Sequence, residues 1–216
     1  MAAKVWSGVA VAIQSALASA LPISGITKAS PGVLTYASGT DPSDGDYVVL
    51  TDVLGMYQLD DAIARVDNAN GAGNAFDLEG WDTSLFDTFT SGNAQVITFG
   101  TTLNKAVNVT ASGGDFEFID TTTIHGNTRS RIPGVASPVS LSFSCQWDPA
   151  DTALAALKAA SRAKAKRAVR ITFSDGAIFL LYGYVGATLI PTGNAQELVT
   201  TNVVFEGINA GTAYSS

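Results

Sequence analysis

The stretch Asp120-Thr121-Thr122-Thr123-Ile124-His125-Gly126-Asn127-Thr128-Arg129-Ser130-Arg131-Ile132-Pro133-Gly134 is followed by Val139-Ser140-Leu141-Ser142-Phe143-Ser144-Cys145-Gln146-Trp147 and then by Asp148-Pro149. The first part is polar and lacks periodicity, so it reads as a long loop. The second alternates apolar and polar residues and reads as a strand with Leu141, Phe143, Cys145 and Trp147 on its buried face. At Asp148 the pattern changes to a helix. Asp148 suits the N-cap, Pro149 the first helical position and Asp151 the third, where a carboxylate meets the positive helix end. Leu154, Leu157 and Ser161, flanked by Ala153 and Ala160, form a narrow stripe that would lie on a sheet, and the helix is expected to run to about residue 164.

Outward from this core the chain reads as β throughout. Residues 168–173 and 177–184 flank Ser174-Asp175-Gly176, a hairpin with Asp-Gly turn chemistry. A last strand is expected over 197–207, after a turn at 189–194. Upstream, 94–99, 108–111 and 115–120 are short strand candidates. Residues 4–17 imitate an export signal, but Ser7, Gly8 and Gln14 interrupt the apolar run. Val5, Val9, Val11 and Ile13 share one parity and predict a first strand over 4–16.

Residues 22–91 have a different texture. Short apolar runs at 23–28, 33–36, 47–51, 62–67 and 75–79 alternate with Pro, Gly, Asn and Asp turns, and 81–89 is expected to close the set as a strand. This segment holds 11 acidic and 2 basic residues, net −9, within a chain of net charge −7. The change of texture therefore sets 22–91 apart as a small β module, with residues 1–21 and 92–216 on either side of it. Over 216 residues only 14% are charged and the mean hydropathy is +0.23, so much apolar surface must be covered, in part by partner subunits. The acidic balance excludes a general basic surface for gripping nucleic acid.

No catalytic or metal-binding constellation emerges. Cys145 is the single cysteine and His125 the single histidine; the first falls on an apolar strand face, the second in a polar loop without a nucleophile beside it. Asp41, Asp44 and Asp46 imitate a calcium loop, but Asp46 stands where that loop needs glycine, so a solvated turn is expected. No cofactor is implied. Lys158, Arg162, Lys164, Lys166, Arg167 and Arg170 put half of the basic residues into one short run. Complementing the helix dipole, pairing with an acidic surface of this chain or a neighbour, and contacting nucleic acid all fit that run.

The Thr-rich loop, the Ile132-Pro133-Gly134 turn and the Trp147-Asp148-Pro149 helix start, in that order, resemble the tail tube proteins of long-tailed bacteriophages. Residues 25–31, 44–50 and 55–59 resemble small β-barrel modules inserted in phage tail components. The resemblance implies a mainly β protein: a tail-tube sandwich or barrel domain with one helix plus the inserted barrel. It implies a structural virion protein, not an enzyme, assembled in the host cytoplasm into stacked hexameric rings through which genome DNA passes without specific binding. Its partners would be itself and other tail proteins such as the tape measure and terminator, with no membrane. Arg129, Arg131, Ile132 and Pro133 would contact a neighbouring subunit or ring. DNA sliding through such a tube needs a lumen without strong positive charge, so Lys158, Arg162, Lys164, Lys166 and Arg167 are expected outside it; a ring of bulky insertions would crowd a lumen, so the acidic module is expected on the exterior too. The alternative is a β-rich adhesin or carbohydrate-binding module using Trp6, Trp81 or Trp147 as stacking faces.

Overall fold

The computed structural model describes residues 6–125 and 127–215. In chain order the strands are β1 (Ala10–Leu17), β2 (Leu21–Ile26), β3 (Gly32–Tyr36), β4 (Tyr47–Leu54), β5 (Ile63–Asn70), β6 (Ala75–Leu78), β7 (Ser91–Thr102), β8 (Ala106–Ser112), β9 (Phe116–Asp120), β10 (Arg131–Ala136) and β11 (Ser140–Gln146). Helix α1 (Thr152–Arg162) follows, then β12 (Lys166–Thr172), β13 (Ile178–Ala187), β14 (Thr200–Gly207) and β15 (Thr212–Tyr214). The protein is mainly β with one α-helix among the described residues, in line with the sequence. One antiparallel sheet of 13 strands runs β2-β3-β6-β5-β4-β7-β1-β12-β13-β14-β11-β8, with β15 beside β13; β9 and β10 form a separate pair. The start of the expected first strand, residues 4–5, lies outside the described residues; the strand itself begins at Ala10.

The 22–91 segment rolls up because β2 also pairs with β7, Leu21 opposite Ala94 and Pro22 opposite Asn93. The order β2-β3-β6-β5-β4-β7 thereby closes on itself around Leu34, Val48, Leu50, Met56, Leu59, Phe76 and Leu78, each essentially inaccessible to solvent. Closure also explains a difference from the sequence reading. Residues 81–89 form no strand, since a closed ring offers no edge for another. They are pinned instead by buried Thr83, whose Oγ1 accepts from the Ala29 N–H (3.1 Å) and donates to the Thr27 carbonyl (2.7 Å).

β7 is longer than its expected core of 94–99. Its first half pairs with β4, Leu50 opposite Ala94, and its second with β1, Leu17 opposite Ile97. β4 is buried on both faces: Val48 and Leu50 point into the small barrel, while Tyr47 and Val49 pack with Ile63, Ile97, Ala168, Leu180, Tyr182 and Tyr214 in a second core. The third and largest core lies under α1, where Val11, Ile13, Phe143, Cys145, Val169, Ile171 and Phe205 meet Ala153, Leu154, Leu157 and Ala160. These are four of the five residues of the predicted stripe; Ser161, the fifth, is half-buried.

The helix begins later than expected. Asp151, not Asp148, is the N-cap, its carboxylate accepting from the Leu154 N–H (2.9 Å). Asp148 is diverted to an ion pair with Lys105 and to the Ala150 N–H. At the other end the Ala165 N–H reaches the Ala160 carbonyl and the Lys164 N–H that of Ser161. This is a Schellman end with Lys164 at its left-handed position, φ 51°. A lysine there carries a Cβ penalty that glycine lacks, so Lys164→Gly is expected to stabilise the fold by about 0.5–1 kcal/mol. That gain should raise the melting temperature by roughly 1–4 °C, read by calorimetry; a fall in the melting temperature would contradict the assignment.

Candidate assembly surface

The stretch that reads as a long loop is in fact an arm. β9 and β10 pair with Arg131 opposite Asp120, Ile132 opposite Ile119 and Pro133 opposite Phe118, leaving only residues 121–130 as its tip. Two strand breakers lie in β10, and both are tolerated because its outer edge is free: a proline there forfeits no ladder hydrogen bond. The root is fixed where the Gly114 N–H meets the Ser137 carbonyl (3.1 Å) and the Ser137 N–H that of Asp115 (2.9 Å). Gly113 turns the chain into the arm at φ 86°, and a Cβ on it would fall 1.9 Å from the Pro138 carbonyl oxygen. At the tip the Thr121 N–H donates to the Ser130 carbonyl, and the Asp120 carboxylate accepts from the Thr122 N–H. Hydrogen bonds from Thr122 hold the Asp120 carboxyl below the usual carboxylate range.

What distinguishes the arm is its surface. Phe118 is 64% exposed and Val135 85%, and Phe116, Ile119 and Ile132 are each at least half exposed. Phe118 and Pro133 lie on one face, Ile119 and Ile132 on the other. A free two-stranded hairpin is marginal in water, and one apolar on both faces calls for cover. Arg129, Arg131, Ile132 and Pro133, the four residues singled out from sequence, all sit on this arm. His125 lies exposed in its tip.

The basic run is dispersed rather than gathered. Arg162 occupies the last turn of α1, suited to the helix dipole. Lys166 reaches into the 22–91 segment, its Nζ 2.7 and 2.9 Å from the buried Asp61 carboxylate. Burial pulls the Lys166 pKa down, but the hydrogen bonds and charge of Asp61 outweigh it and the net direction is up. Arg170 stacks its guanidinium over Phe99 (4.8 Å) and Tyr47 (5.6 Å). Arg162 and Lys164 are exposed, Lys158 and Arg167 half-buried.

The other residues weighed for chemistry have structural work. Asp41 accepts from the Tyr36 hydroxyl, Asp44 from the Ala69 N–H and Asp46 from the Ser43 N–H. Among the described residues no cluster of three His, Cys, Asp or Glu could hold a metal. Cys145 is fully buried, as its strand parity predicts. Desolvation, with the charge of Asp151 adding to it, pushes its thiol up to about 11 from 9.0. Two units leave about 100-fold less thiolate, so a thiol reagent should label native protein at least about 100-fold more slowly than denatured protein. Comparable rates would show that the core opens. Trp147 departs from expectation: it lies just past β11, 38% exposed, its indole N–H donating to the Leu189 carbonyl (3.0 Å).

At the edge of the large core, Trp6 packs against Phe173 with ring centroids 5.5 Å apart and ring planes tilted by 51°. Together with Ile171, Ile178, Phe179 and Tyr214 they wall an apolar hollow of about 730 Å³. Tyr214 belongs to β15, which sequence reading missed. Its hydroxyl accepts from the Arg65 N–H (2.8 Å) and its ring lies under the Arg65 guanidinium (4.6 Å). The one available signal is a lone aromatic in an otherwise small-residue C-terminal stretch.

A mainly β protein carrying an apolar, solvent-exposed arm has the kind of surface that structural assembly proteins use for association. The family model for phage tail tube proteins matches residues 55–216, three-quarters of the chain, so the chain belongs to the phage tail tube protein family. Searched against individual curated proteins, it matches none. Membership makes it a structural component of the virion tail rather than an enzyme, and implies self-association and contact with other tail components.

Proposed function

We propose that this chain assembles in the host cytoplasm into hexameric rings that stack into the hollow tail tube through which phage DNA passes into the host. The observation that carries the reading is the arm, an apolar hairpin that is exposed and that no other described strand or helix of its chain covers. β8 adds to it, since this strand ends the path of the large sheet with β11 as its single strand neighbour. Edges of this kind invite pairing, and a ring that joins them between subunits removes the hazard. Arg129, Arg131, Ile132 and Pro133 would then contact a neighbouring subunit or ring, and the tape measure and terminator proteins would meet the tube at its ends.

In this reading residues 1–21 and 92–216 form the tube domain and 22–91 decorates the exterior. A segment of net charge −9 on the outside leaves the lumen uncrowded. DNA should slide because phosphate affinity requires clustered cations, and Lys158, Arg162, Lys164, Lys166 and Arg167 are assigned to the exterior. The test is negative-stain electron microscopy of the purified chain with light scattering for mass. Rings or tubes support the reading; a monomer at every concentration sinks it in favour of the adhesin or carbohydrate-binding alternative. Arg131→Glu should impair tubes while leaving the circular dichroism spectrum unchanged, and unimpaired tubes would exclude Arg131 from the contact.

A further inference from the structure

Beyond Gly207 the chain leaves β14, bulges through residues 208–211 and returns to the same edge of β13 as β15, Thr212 opposite Leu180 and Tyr214 opposite Ile178. The bulge aims Asn209 at the small barrel, where its side-chain amide donates to the carbonyls of Asp60 (2.7 Å) and Gln58 (3.1 Å). β15 then lies beside β5. Ala62 and Val66 turn backbone groups to β4, the Ala62 carbonyl accepting from the Leu50 N–H and the Val66 N–H donating to the Asp46 carbonyl, so the alternate residues Ile63 and Arg65 present theirs on the opposite edge. β6 pairs with β5 only from Val66 onward, and the Glu79 N–H beyond it reaches the Arg65 carbonyl. The Ile63 carbonyl and the Arg65 N–H are met by side chains of β15: the Thr212 hydroxyl donates to the first (3.0 Å) and the Tyr214 hydroxyl accepts from the second (2.8 Å).

We infer that residues 208–214 are a latch: one short segment fastens the barrel to the body and shuts two half-edges at once, that of β13 with its backbone and that of β5 with its side chains. Left open, each half-edge is a template for a strand of another chain. Ile63 and Tyr214 belong to the core in which barrel and body meet, so an open latch also leaves buried backbone groups unpaired and bares an aromatic ring. Gly211 permits the close approach, since a Cβ there would fall 2.4 Å from the Phe179 ring and 3.2 Å from the Leu180 carbonyl oxygen. The latch acts whether or not the chain builds a tube.

Asn209→Asp, Thr212→Val and Tyr214→Phe, combined in the full chain, remove these side-chain bonds with little change of volume. Amide hydrogen exchange at Arg65, read by NMR, should quicken roughly 3- to 10-fold, the range expected for one lost hydrogen bond. On incubation the same variant should form thioflavin-binding aggregates faster than the unaltered chain, followed by light scattering. Unchanged exchange at Arg65 overturns the latch contact, and faster exchange without added aggregation overturns its guard over the edges. A second variant runs the other way and keeps the test decisive should the first fail to fold. Ala213 is exposed and pairs with Phe179, so Ala213→Val places a β-branched residue where it favours the strand. It should slow both Arg65 exchange and aggregation; no slowing overturns the inference. Electron microscopy of the same samples separates ordered rings or tubes from aggregates, so a failed tube reading leaves the latch result intact.

Discussion

Replacing residues 116–136 by a short Gly-Ser turn is expected to abolish rings and tubes while changing monomer stability by less than about 1 kcal/mol. β9 and β10 pair with each other and stand apart from the large sheet, and none of their residues belongs to the three cores. Cutting them away uncovers no buried apolar surface and removes exposed phenylalanine and isoleucine side chains from water. Surface changes of this kind ordinarily alter stability by a few tenths of a kcal/mol. Urea unfolding monitored by tryptophan fluorescence, beside electron microscopy of the same sample, separates the two effects. Tubes that persist without the arm would remove it from the assembly mechanism; a fold that collapses would show that the arm is a structural element after all.

The second large effect is expected in the core beneath α1. Phe205 and Phe143 are both fully buried, with rings edge to face at a centroid distance of 5.7 Å. Phe205 lies opposite Leu141 on one neighbouring strand and Val185 on the other. Phe205→Ala empties a site walled on several sides by strands and a helix, so little collapse is possible. Such truncations cost about 3–5 kcal/mol, a large part of the roughly 5–15 kcal/mol that holds a domain together. The urea midpoint should fall accordingly with an unchanged slope. A loss below about 1 kcal/mol would mean that the core is looser than its packing indicates.

These cases also mark what sequence can convey. Where burial imposes a period the reading holds: Leu141, Phe143 and Cys145 face one core, Thr172 and Ile178 pair across the Asp-Gly turn, and the helix stripe points inward. β10 escaped detection for the converse reason. Both of its faces meet solvent in one chain, so no alternation is enforced, and Pro133 and Gly134 read as a break. The expected strand at 81–89 was missing because barrel closure is a long-range property, set by the pairing of Leu21 with Ala94. Asp148 and Asp151 are equally good caps on paper, and Lys105, 43 residues away, decides between them. As for the candidate surface, the four residues named from the resemblance fall on β10 and the tip of the arm, whereas the hollow walled by Trp6, Phe173 and Tyr214 is brought together by the fold alone.

The course of β7 carries a mechanical consequence. Twelve residues of continuous strand, about 40 Å long, are hydrogen-bonded to the small barrel along one half and to the large sheet along the other. Force applied to the barrel, by a receptor or by flow, would load β7 in shear, with many hydrogen bonds resisting at once, instead of peeling a tether. The barrel is an outrigger that shares a beam with the body, and breaking β7 would strip β1 and β4 of their common neighbour. Foreign peptides meant for display belong in its exposed 37–40 stretch, where no strand has to be cut.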